Sequence, residues 1–257
     1  MKDSFDRRPI SQITISEIRA WHKSRASTPV STNRALAILS KIFTFAEEQE
    51  IIPLGANPCK RVAHYKERSR RRYATTEELH RIIPLLDKYQ SAHPYGVAFL
   101  WTLLLTGSRP KALADATWDE LDIHTALNGS RYGVLRFHGK SSAKTGDDEV
   151  VIIPELALKM IEKLPGRTNN SLLNSKMPSK LWRKIKDEAG CPDLWARDFR
   201  RTFATLAMSN GMSLSTIGEL LNHRSTQTTK IYAKLMDDTR ARAATEIAER
   251  IEQLVLA

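Results

Sequence analysis

A chain of 257 residues with 41% hydrophobic content can bury one substantial core and a smaller second one. Its 40 basic against 29 acidic side chains leave a charge of +11, which favours polyanionic partners, DNA and RNA first among them. Two cysteines, Cys59 and Cys191, stand far apart without Cys or His neighbours at ligand spacing, which argues against a disulfide scaffold and a zinc module and suits a reducing compartment.

The residues from Met1 to Arg8 lack the apolar core of a secretion signal. The longest apolar stretch, Val97 to Leu105, falls short of the roughly 20 residues that a bilayer span takes. A cytoplasmic protein with no membrane partner is expected. Thr14 and Glu17 have capping-box spacing, and Ile18 and Trp21 follow on one helical face. From Thr32 to about Glu50, Leu36, Leu39, Phe43 and Ala46 recur at helical spacing, and Pro53 and Gly55 close the segment. These helices define an all-helical unit over residues 1–59.

Residues 60–73 read as a basic linker, with seven Lys or Arg from Lys60 to Arg72 against one acid, Glu67. A solvated connector is the ordinary reading of such a run. An extended basic segment can equally lie along phosphates, so Lys60, Arg61, Lys66, Arg68, Arg70, Arg71 and Arg72, with Arg34 on the preceding helix, are candidate DNA contacts.

A larger domain is expected over residues 74–257. It opens on a second capping box, Thr75 to Glu78, with Leu79, Ile82, Ile83 and Leu86 on one face. Pro84 inside that pattern predicts a kink or an early stop. The apolar helix around Val97 ends at Thr106-Gly107. Gly133–Phe137 and Glu149–Ile153 read as two strands of a hairpin with Lys144 near its tip. Helices are expected over about 155–164, 178–189, 198–210, 214–221, 226–234 and 239–254. The fold class is therefore mainly α with a small antiparallel β-sheet.

Certain of these residues form a chemical set. Breaking a phosphodiester without metal or ATP requires a nucleophile that keeps the bond energy as a covalent ester. It requires fixed cations on the phosphoryl oxygens, a task suited to the planar arginine fork. It also requires a proton donor for the departing sugar oxygen. The chain offers Arg109 in Thr106-Gly-Ser-Arg109-Pro, Lys144 on the hairpin, Arg197 and Arg200 in Arg197-Asp-Phe-Arg200-Arg-Thr-Phe-Ala-Thr205, then His223 and, nine residues on, Tyr232.

In order and spacing these blocks resemble the catalytic domain of the tyrosine recombinase family, which includes the phage integrases. The resemblance covers about residues 75–240 and extends more weakly over Asn33-Arg34 to Asn57-Pro58, which is similar to the end of the family's helical core-binding domain. It implies a DNA breaking-rejoining catalytic fold preceded by a short, partial core-binding domain. It implies that Tyr232 attacks the scissile phosphate to give a 3′-phosphotyrosyl link and a free 5′-hydroxyl. Arg109 and Arg200 would grip the non-bridging oxygens, His223 would donate to the same phosphate, and Lys144 would protonate the 5′-oxygen. The implied product is site-specific recombination or integration of double-stranded DNA by a homotetramer, with accessory DNA-bending or directionality factors as further partners. No cofactor and no metal are implied.

Three features depart from the family's pattern. Arg197 stands where the family usually has histidine, and a guanidinium cannot give up its proton as a general base does. Ala112 stands where an acid commonly braces the active site, with Asp115 and Asp119 as the candidates to replace it. The resemblance also begins part-way through the core-binding domain. Two other functions stay open on these grounds: a weak or inactive integrase-derived DNA-binding protein, and a topoisomerase-like enzyme that relaxes one strand. Arg200 and Arg201 are adjacent and cannot share a face, so one of the two is expected to pair with an acid such as Asp198 or to stay in solvent.

Overall fold

The computed structural model describes residues 5, 6, 8–67, 70–137, 149–166, 170–174 and 176–223. The chain divides into two compact units, one ending at Arg70 and the other beginning at Arg71.

The first unit is built on helices α1 (Ile15–Ser24) and α2 (Pro29–Glu48). Helix α1 starts where the capping box predicts: the Thr14 side chain accepts from the Glu17 amide, and the Glu17 carboxylate accepts from Thr14 N–H at 2.9 Å. Helix α2 starts with Pro29 in its first turn, where the missing N–H costs nothing. Ile18, Trp21, Leu36, Leu39, Phe43, Ala46, Ile52 and Cys59 form one buried cluster between them. The basic segment is fastened to this unit through its backbone. Tyr65 N–H donates to Asn33 Oδ1 at 2.9 Å, Asn33 Nδ2 donates back to the Tyr65 carbonyl at 2.8 Å, and the Tyr65 ring stacks on His22 with centroids 4.1 Å apart. Asn57 is tied in the same way, its N–H to Glu47 and its Nδ2 to the Ser40 carbonyl.

The second unit runs through α3 (Thr76–Tyr89), α4 (Pro94–Thr106), α5 (Pro110–Asp115), β1 (Leu121–Thr125), β2 (Arg131–Phe137), β3 (Glu149–Ile153), α6 (Glu155–Glu162), α7 (Ser179–Glu188), α8 (Asp198–Ser209) and α9 (Leu214–Leu220). Helix α4 is buried almost all round and forms the axis of the core, packing against α3, α6, α8 and the sheet. The three strands form one antiparallel sheet in the order β1-β2-β3.

Two expectations change here. Of the kink or early stop expected at Pro84, the early stop does not occur, and helix α3 runs on to Tyr89. Pro84 and His80, whose carbonyl loses its partner, are both exposed, so the freed carbonyl can turn to water. The sheet has three strands rather than two. Strand β1 escapes a pattern reading because only Leu121 is partly covered; its other four residues are exposed and owe their extension to pairing with β2. The hairpin tip at 138–148 and the helices expected over 226–234 and 239–254 lie outside the described residues.

Candidate active site

The site begins where α4 ends. Gly107 caps that helix in the left-handed region (φ 62°), a conformation glycine adopts without steric cost. It is also a point of close approach: a Cβ there would lie 2.8 Å from Leu221 and 2.9 Å from Phe203. The turn is held by the Thr106 hydroxyl, which donates to the Thr102 carbonyl and lies 2.7 Å from Ser108 Oγ. Arg109 then precedes α5 as its N-cap, with an extended backbone and no capping hydrogen bond from its side chain.

Arg200, half-buried in the first turn of α8, reaches back to this turn. One guanidinium nitrogen donates to the Gly107 carbonyl at 2.9 Å and the other to the Leu221 carbonyl. Those acceptors lie two residues from Arg109 and two from His223, so the bonds of one side chain draw three chain segments together. Burial, followed by the positive charges of Arg200 and Arg109, pushes His223 down to about 4. The imidazole is therefore neutral at pH 7 and can donate one ring N–H. Arg109, Arg200 and His223, read from separate blocks of sequence, share one site.

Sequence reasoning missed what holds Arg109. Neither Asp115 nor Asp119 takes over from the acid absent at Ala112. Asp115 pairs with Lys111 at 2.5 Å, and Asp119 accepts from Asn170 at 2.6 Å. Glu149, the first residue of β3, meets Arg109 instead. Arg109 keeps 51% of its side chain exposed, leaving donors free to face a ligand. No local signal marks Glu149, because the pair spans 40 positions.

Arg197 lies at the start of α8, exposed, and its side chain makes no ion pair among the described residues. Arg201 pairs with the fully buried Asp198 at 2.8 Å. Lys144 and Tyr232 lie outside the described residues, as does Arg68. Of the other candidate DNA contacts, Arg34, Arg61, Lys66 and Arg71 are exposed and Arg70 is half-covered. Lys60 pairs with Glu47 at 3.0 Å, and Arg72 is taken up by Glu78 and Asp193. Among the described residues, no group of three or more His, Cys, Asp or Glu gathers as a metal site, and no helix is long and apolar enough to cross a membrane.

The phage integrase family matches residues 72–239. The chain belongs to that family. This phage integrase family member is 27% identical over 237 residues to the prophage phiRv2 integrase of Mycobacterium tuberculosis, an alignment covering 83% of this chain and 61% of that relative's length. It is 27% identical over 293 aligned residues to the ICEBs1 integrase of Bacillus subtilis, covering 99% of this chain and 75% of the relative. Among solved structures, XerH site-specific recombinase bound to palindromic difH substrate superposes with a TM-score of 0.69 at 19% identity, over 93% of this chain and 74% of that one. A lambda integrase dimer bound to a core site gives 0.64 at 17% identity, over 94% and 69%. The integrase fold of the chain is thus shared at low sequence identity.

Proposed function

We propose that the chain is a site-specific DNA recombinase that breaks and rejoins a strand through Tyr232. The phenolic oxygen attacks phosphorus, a phosphotyrosyl ester forms on the 3′ side, and the bond to the 5′-oxygen breaks. Lys144 supplies the proton to that oxygen, and a 5′-hydroxyl attacking the ester reverses the step. Arg109 and Arg200 hold the non-bridging oxygens while charge develops on them. His223, neutral in the free protein, donates a further hydrogen bond. Arg197, exposed ahead of α8 and unable to act as a base, contributes charge alone. The substrate is double-stranded DNA, and the working assembly is a homotetramer that holds two duplexes. The exposed basic residues Arg34, Arg61, Lys66 and Arg71 neutralise DNA phosphates.

The observation that supports this reading is the convergence of Arg109, Arg200 and His223 from three separate segments onto one spot. Such a cradle suits a phosphate anion in a way that a DNA-binding surface alone does not need. The test is a library of nicked suicide duplexes. The parent chain should be trapped covalently on a subset of them, and Tyr232→Phe should form no adduct. An adduct that persists in Tyr232→Phe would remove Tyr232 as nucleophile. Relaxation of supercoiled plasmid without exchange between two labelled duplexes would favour a topoisomerase-like activity.

A further inference from the structure

Helix α9 ends in a turn whose residues do two jobs. Asn222 sits in the left-handed region at φ 50°, with its N–H on the Glu219 carbonyl at 2.9 Å. His223 N–H follows onto the Gly218 carbonyl at 2.8 Å. This is the paired-bond helix ending in which glycine is the usual occupant of the left-handed position and asparagine the occasional one. A glycine would terminate α9 equally well and without the steric cost of a Cβ.

The asparagine side chain does what glycine cannot. Its Oδ1 accepts from Val150 N–H at 3.0 Å and its Nδ2 donates to the Val150 carbonyl at 2.6 Å. Strand β3 is the edge of the sheet, and Val150 faces Arg136 of β2 in register. Both backbone groups of Val150 are thus satisfied on the open side by one amide, which stands in for a missing strand. The first unit uses the same device, since Asn33 clamps both backbone groups of Tyr65. There the amide fastens an extended segment to a helix. Here it fastens a helix end to a strand, next to a site residue.

We infer that Asn222 is a positioning residue: its amide clamps the turn that carries His223 onto β3. The residue before Val150 on that strand, Glu149, meets Arg109. Two site residues from distant parts of the chain are therefore registered against adjacent residues of one strand. This deepens the recombinase reading above and rests on it for its catalytic consequence, but the clamp itself can be judged without activity.

The deciding variant is Asn222→Gly, which keeps the left-handed turn and removes only the amide. In the parent, the His223 imidazole should titrate near 4 when followed by NMR, held there by burial, by Arg200 of α8 and by Arg109 ahead of α5. In Asn222→Gly the titration should move up toward the ordinary histidine range as His223 drifts from that spot. Hydrogen exchange of the Val150 amide should accelerate, and adduct formation at saturating DNA should slow by roughly 10- to 100-fold with DNA affinity unchanged. If glycine loosens the fold, Asn222→Asp keeps the turn and the bond from Val150 N–H while its carboxylate repels the Val150 carbonyl. It should melt close to the parent and still cleave more slowly. A folded variant with the parent's cleavage rate, or an Asn222→Gly protein with the parent's His223 titration, would show that the amide only closes an edge strand. Should the parent form no adduct at all, the recombinase reading fails, whereas the titration still decides the clamp.

Discussion

Arg72 and Arg200 are both arginines of the second unit held by several hydrogen bonds, and the acceptors described for the two differ. Arg72 places two guanidinium nitrogens on Glu78 at 2.7 and 2.5 Å and a third on Asp193 at 2.8 Å. Its charge is answered by carboxylates. Arg200 donates to the carbonyls of Gly107 and Leu221. A carbonyl dipole orients a guanidinium without cancelling it, and the field of Arg200 is still felt at His223, whose proton affinity it lowers. Arg109 is intermediate, with one carboxylate and about half of its side chain open.

The comparison breaks most sharply at Arg200 itself. Arg200→Ala should lower the rate of covalent-complex formation by on the order of 10²-fold or more, the usual loss when a fixed transition-state donor is removed. A rate close to the parent's in single-turnover cleavage would mean that its charge is not used. Gly107→Ala attacks the acceptor rather than the donor. A left-handed alanine costs about 1–3 kcal/mol, with the crowding by Leu221 and Phe203 in addition. The urea midpoint should fall accordingly, and cleavage should fall with it because Arg200 loses its seat.

Arg72→Ala should appear in stability. Leaving the largely buried Glu78 carboxylate without its partner should cost about 1–3 kcal/mol, with little from Asp193, which is 62% exposed. The sign with pH is fixed, because hydrogen bonding to Arg72 holds the Glu78 carboxyl below its ordinary value. The pair contributes fully above the unfolded carboxyl value of about 4.3 and fades as pH falls through the lower folded value. Denaturation curves from pH 7 to pH 3 should therefore converge for parent and Arg72→Ala at the acid end. The smallest effect belongs to the exposed cations. Replacing Lys66 and Arg71 with Gln should shallow the dependence of DNA affinity on log salt by about 0.9 for each phosphate that is no longer neutralised. Unchanged slopes would place DNA elsewhere.

Local rules carried the sequence reading a long way. Both capping boxes form as their spacing predicts, because Thr14 with Glu17 and Thr75 with Glu78 are satisfied within a single turn. Strand β1 was not legible, since an exposed strand has no apolar alternation of its own and is extended by its neighbour. The run from Lys60 to Arg72 reads as one basic linker, yet its parts have different fates: Tyr65 is clamped by Asn33, whereas Arg72 is locked by Glu78 and Asp193. Charge counts are additive along a chain, but desolvation and pairing are not.

Residue order alone reveals where most helices begin, which blocks carry the arginines and histidine, and that those blocks resemble a phosphoryl-transfer set. Packing, by contrast, brings Glu149 rather than Asp115 or Asp119 to Arg109, ties the turn before His223 to β3 through Asn222, and pushes the His223 imidazole below its ordinary value. Helix caps and periodicity are settled within a few residues of one another. The Arg109–Glu149 pair and the closure of the edge strand by Asn222 span 40 and 72 positions, and the half-buried His223 ring answers to Arg109 from a distant block, an approach set by the packing of the whole unit.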